Sequence, residues 1–142
     1  MTAAGYSGTP LAQKIGLKDG HRVLFVDLPV ELGELTTARA FKSVDSANWA
    51  TWQEGEPGYD VVHGFTASRQ VLESNAKPMM AAIARDGMIW LSWPKKASKV
   101  ATDITEDVIR EVVLPIGLVD VKVAAVDAVW SGLKLVIRKE LR

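Results

Sequence analysis

The feature that most constrains this chain is a short apolar run, Met88 to Trp93, bounded by Asp86-Gly87 on one side and Pro94 on the other. It carries two tryptophans and a single polar interruption, Ser92. A half-exposed strand alternates polar and apolar side chains, so this run suits a strand covered on both faces. Asp86-Gly87 reads as the turn that starts it. Pro94 has no N–H to offer a ladder, so pairing stops there. Lys95, Lys96 and Lys99 follow at once, just past the carboxyl end of a probable central strand, where open α/β sheets place ligands.

The flanking patterns supply the rest of a sheet and its helices. Thr9-Pro10 followed by Gly16 predicts a short helix over 10–15. Asp19-Gly20 is a turn, and Arg22 to Asp27 reads as the first strand. Leu28 to Leu35, opened by Pro29, suits one or two helical turns. The middle is weakly patterned: Ala38 to Val44 suits a short strand and Ser43 to Gly58 a long loop. Trp49 and Trp52 in that loop are read as covering the edge of the core.

Tyr59 to Phe65 is a second strand. Ser68 caps a helix with Val71, Leu72, Met79, Met80 and Ile83 at helical spacing; Pro78 either kinks it or marks a second start. Asp103-x-x-Glu106 resembles a capping box and predicts a helix over 104–114. Val119, Val121 and Val123, then Leu133, Leu135 and Ile137, alternate with polar residues as a closing antiparallel hairpin joined through Asp127 to Gly132. This order predicts a three-layer, Rossmann-like α/β sandwich, its sheet mostly parallel with a C-terminal antiparallel hairpin. At 142 residues a single domain is expected, with residues 1–8 mobile.

Composition removes several functions. Seventeen basic and seventeen acidic side chains cancel, so no net field favours nucleic acid or an anionic membrane. No stretch approaches the roughly 20 apolar residues that span a bilayer, and the start lacks the pattern of a secretory signal. A cytoplasmic protein is the expectation. There is no cysteine, and His21 and His63 stand far apart, so neither a thiolate nucleophile nor a zinc site is expected. No P-loop occurs. Gly5 to Thr9 lacks the last glycine and the preceding strand of a nucleophile elbow. Glu54 and Glu56 sit in a polar stretch and read as solvating it. No cofactor is expected, and nothing in the pattern specifies an oligomeric state.

Three segments carry a resemblance. Gly5-Tyr6-Ser7-Gly8-Thr9-Pro10-Leu11, Ser92-Trp93-Pro94-Lys95-Lys96-Ala97-Ser98-Lys99, and Trp130-Ser131-Gly132-Leu133 through Ile137-Arg138-Lys139 closely resemble a small bacterial family known as a domain of unknown function. The resemblance spans nearly the whole chain and implies no activity. From Tyr59 onward the order of elements is also similar to the second half of class I methyltransferases. That likeness implies the architecture. It does not extend to the S-adenosylmethionine site, since Asp27-Leu28-Pro29-Val30-Glu31-Leu32-Gly33 holds one glycine where the superfamily has a glycine-rich loop.

The surviving candidate is the lysine loop. Lys95, Lys96 and Lys99, with Ser98 as a hydroxyl donor and Thr102 nearby, form a site for a phosphate or carboxylate, lysine acting as a mobile point charge. Asp27 and His63 belong to the candidate site only if an open crevice joins them to Lys95; a lone histidine is more often structural. The plain alternative is a solvated basic turn balanced by Asp103, Glu106 and Asp107. The functional expectation is a protein that binds an anionic small molecule, such as a nucleotide or phosphorylated metabolite. The alternatives are a degenerate S-adenosylmethionine-dependent methyltransferase-like enzyme and a protein-interaction module using Trp49 and Trp52.

Overall fold

A computed structural model describes residues 10–52 and 58–142. The readings made for residues 1–8, for Thr9 as a cap and for Glu54 and Glu56 lie outside the described residues. In order, the described elements are α1 (Leu11–Ile15), β1 (Arg22–Val26), a 3₁₀ run (Val30–Thr37), β2 (Ser43–Ala47), β3 (Tyr59–Phe65), α2 (Arg69–Ala82), β4 (Ile83–Pro94), α3 (Glu106–Val113), β5 (Leu118–Ala125) and β6 (Trp130–Ile137). The strands form one sheet in the order β2-β1-β3-β4-β6-β5. β1 runs parallel to β2 and β3, and β3 parallel to β4, with Val23 opposite Val61 and Val62 opposite Ile89. β6 pairs antiparallel with both β4 and β5.

The apolar run therefore lies inside the sheet, and each face of it is covered. Leu24, Val26, Val62, Ile89, Leu91 and Trp93 pack against α2 and α3 through Leu72, Met79, Ile109 and Val113. Val23, Phe25, Val61, Phe65 and Trp90 pack on the other face against α1 and the 3₁₀ run through Leu11, Ile15, Leu32 and Leu35. The Trp90 indole donates to Ile15 O at 2.8 Å, so a large ring is buried without losing its one polar bond.

Four local expectations need correction. β2 falls at Ser43–Ala47, not Ala38–Val44, and so occupies the start of the expected loop. It is an edge strand held by its ladder to β1, and its side chains need show no apolar period. Asp86-Gly87 is not a turn ahead of the strand but lies inside β4, where Ala84 to Gly87 bulge opposite Asp60 alone. A Cβ at Gly87 would lie 2.9 Å from Tyr59 O and 3.0 Å from Ala84 O, which is why glycine stands there. α3 starts at Glu106 with Thr105 as its cap, the Thr105 hydroxyl accepting from Val108 N–H at 3.1 Å. Asp103 instead accepts from Arg69 N–H at 2.7 Å and, with Ser68, satisfies the start of α2. The hairpin connection is shorter than expected, since Trp130 to Gly132 already belong to β6. Asp127 Oδ1 closes it by accepting from Val129 and Trp130 N–H. At Pro78, where the pattern left two alternatives, one helix runs through.

Candidate functional site

The parallel strands deliver their carboxyl ends to one edge of the sheet, and two grooves open along it. The first adjoins the switch point, between β1 and β3, where the chain reverses its direction of winding. It measures about 570 Å³ and is lined by Asp27, Leu28, Pro29, Val30, Gly33, Ser46, Ala47, Asn48 and Thr51. The second lies beyond β4 and β6. It measures about 790 Å³ and takes its lining from Trp93 to Lys96, Lys99 to Thr102, Ile104 to Asp107, and Ser131. Among the described residues two non-glycine positions have positive φ, Asp27 at 56° and Lys99 at 62°, and each lines one of these grooves.

His63 belongs to neither. It points into the face shared by Phe25, Phe65 and Trp90, stacked on the Phe65 ring at 4.3 Å, and is fully buried. Its Nε2 shares a 2.7 Å hydrogen bond with the Ser92 hydroxyl, while its Nδ1 has no partner among the described residues. Burial alone pushes its pKa down to about 3, so the ring is neutral at ordinary pH. Among the described residues neither groove brings Asp27, His63 and Lys95 together: Asp27 lines the first, Lys95 the second and His63 neither.

Trp49 covers the end of β3 beside the switch point. Its ring lies over Gly64, near the end of β3, so closely that a Cβ there would come within 2.5 Å of it. Its N–H donates to Phe65 O at 2.7 Å. Trp52 donates to Asn75 Oδ1 on α2 at 2.8 Å. Both rings are partly buried and pack against the core edge, as the sequence suggested. The turn after β1 offers little in exchange: Pro29 has no N–H, and Asp27 N–H already donates to Ala47 O.

The lysine loop is held at both ends. Lys95 N–H donates to Val129 O at 2.7 Å, and the Thr102 hydroxyl donates to Ala67 O at 2.8 Å while accepting from Ile104 N–H. Ser98 donates its hydroxyl to Lys95 O and accepts from Val100 N–H, so it braces the loop and is not the ligand donor the sequence suggested. Thr102 lines the groove, but its hydroxyl is committed in the same way. The balancing acids are engaged elsewhere: Asp103 caps α2, and Glu106 and Asp107 pair with Arg110 at 3.1 Å each. Arg110 also binds Asp120 at 3.0 Å, and these carboxylates raise its pKa, holding it charged. Among the described residues no carboxylate lies within ion-pair distance of Lys95, Lys96 or Lys99.

Sequence reasoning found the basic rim and missed the apolar wall made by Val100 and Ile104, which stand apart from the lysines in no recognisable motif. It also missed Ser92 as the partner of His63. Among the described residues no cluster of three His, Cys, Asp or Glu side chains is placed to hold a metal, and no helix is long and apolar enough to cross a membrane.

Comparison with protein-family models finds no match, and comparison with curated protein sequences finds none either. The likeness to a bacterial family of unknown function therefore stands on its three motifs alone. Comparison of structures is informative. A SAM-dependent methyltransferase from Aquifex aeolicus superposes with a TM-score of 0.68 at 12% identity, over 89% of this chain and 87% of that one. A TehB-like SAM-dependent methyltransferase from Corynebacterium glutamicum gives 0.65 at 10% identity, over 90% and 85%. Magnesium protoporphyrin IX methyltransferase from Synechocystis, with SAH bound, gives 0.63 at 13% identity, over 90% and 78%. At such identities the likeness is one of fold, and the sheet described above is accordingly the Rossmann-like sheet of these methyltransferases.

Proposed function

We propose that this chain is a ligand-binding protein on a methyltransferase-like fold, and that it takes an anionic small molecule in the groove beyond β4. One observation carries the reading: three lysines on a braced loop line the larger of these two grooves, and among the described residues none of them has a carboxylate partner. Because the loop is already tied to Val129 and Ala67, little ordering entropy is lost when a ligand arrives. Isothermal calorimetry with inorganic phosphate and phosphorylated metabolites tests the reading. Saturable binding that disappears in the Lys95→Ala/Lys96→Ala double variant is the expected result; binding unchanged in that variant refutes the site.

The fold comparisons support a second reading and lend nothing to the first: a SAM-dependent methyltransferase-like enzyme using the groove beside Asp27. The ring of Trp49 over Gly64 stands against it. Calorimetry with S-adenosylmethionine separates the two, and saturable binding that an Asp27→Ala change removes would establish the second.

A further inference from the structure

The groove beyond β4 also constrains what its anion is attached to, and we infer that the ligand is amphipathic: a single carboxylate or phosphate group on an apolar body, not a polyphosphate or a nucleotide. This rests on the anion-binding reading above and narrows it.

Sites for phosphate chains cradle them in backbone amides freed by glycines or by a helix start. From Pro94 to Thr105 there is no glycine. Three of the loop amides are also occupied: Ser98 N–H donates to Lys95 O, Lys99 N–H to Lys96 O, and Val100 N–H to Ser98 Oγ. The lysine side chains are then the main partners for charge. The start of α3 contributes Glu106 and Asp107 to the lining, and carboxylates there disfavour a second anionic group at that end.

The apolar part of the lining comes from Trp93, Pro94, Val100, Ala101 and Ile104, beside the hydroxyls of Thr102, Thr105 and Ser131. Val100 is 48% exposed, an aliphatic side chain turned to the groove and not needed by the core. The two threonine hydroxyls are bonded already, Thr102 to Ala67 and Ile104, and Thr105 to Val108, and so are not free to read the polar edges of a base. Apart from the Ser131 hydroxyl, a base would find few partners for its polar atoms here, whereas an alkyl or aryl body needs none.

The test is calorimetry on the full chain with four probes: octanoate, acetate, inorganic phosphate and AMP. Octanoate should bind about tenfold or more tightly than acetate, because each methylene removed from water adds to affinity. Lys95→Ala/Lys96→Ala should abolish its binding. Val100→Ser should weaken octanoate on the order of threefold while leaving inorganic phosphate unchanged. If phosphate or AMP binds in a lysine-dependent way and octanoate is no tighter than acetate, the amphipathic ligand is wrong and the anion site stands. If octanoate binds equally well without the two lysines, the anion site itself is wrong. No saturable binding by any of the four overturns both.

Discussion

Along the carboxyl edge of one sheet, the β1–β3 end and the β4–β6 end have been treated in opposite ways. At the first, the Trp49 ring sits on Gly64 and its N–H is bonded to Phe65 O, and just beneath, His63 is sealed among aromatic rings against Ser92. At the second, the loop is tied at both ends, and among the described residues its three ammonium groups have no carboxylate within ion-pair distance. The same strand ends thus serve stability in one place and leave charge available in another. The position that topology favours for a ligand is only a prior; the side chains that follow each strand decide whether it is kept open.

The largest expected effect breaks the closed end by pH. His63 is neutral and buried, with its folded pKa near 3, below the unfolded value of about 6.5. Its contribution is complete above the unfolded value. As pH falls towards 3 the unfolded chain takes up a proton that the folded one refuses, and stability drops by about 1.4 kcal/mol per unit. Urea titrations at pH 7, 5 and 4 should show this slope, and it should be shallower in His63→Gln. Equal slopes would mean that the histidine is hydrated in solution.

Next in size, Trp49→Ala removes a partly buried ring and its bond to Phe65 O, at a cost of about 2–3 kcal/mol by chemical denaturation. If it costs under about 0.5 kcal/mol, the ring is a surface ornament and the closed end is not closed. The comparison sharpens with Asp103→Ala, which leaves Arg69 N–H unsatisfied at the start of α2 and should cost about 1 kcal/mol. The smallest effect belongs to the open end: Lys95→Ala/Lys96→Ala should move the denaturation midpoint by less than about 0.5 kcal/mol, since exposed charges with no partner contribute little. A marked loss of stability would show the lysine stems packing over Trp93, and the two ends would no longer differ in kind.

What the chain determines by itself is whatever depends on local pattern. The doubly covered run at Met88–Trp93 implies helices on both faces, and the alternation in the last strands implies the hairpin; both follow from the period of side chains along a strand. The lysine loop is legible for the same reason, because a proline that ends a ladder also sets where the next side chains emerge. Tertiary contacts decided the rest. β2 has no apolar period to read, since its ladder to β1 is a backbone interaction made across distant sequence. Asp103 resembles a cap for the helix that follows it, yet it caps α2, 34 residues upstream, through a loop whose path only packing sets. Asp27, His63 and Lys95 lie at or near the ends of three neighbouring strands, but the pleat turns His63 into one face while Trp49 folds back over the other. Which way each side chain leaves the sheet, and which distant ring covers it, are properties of the packed molecule and not of any single segment.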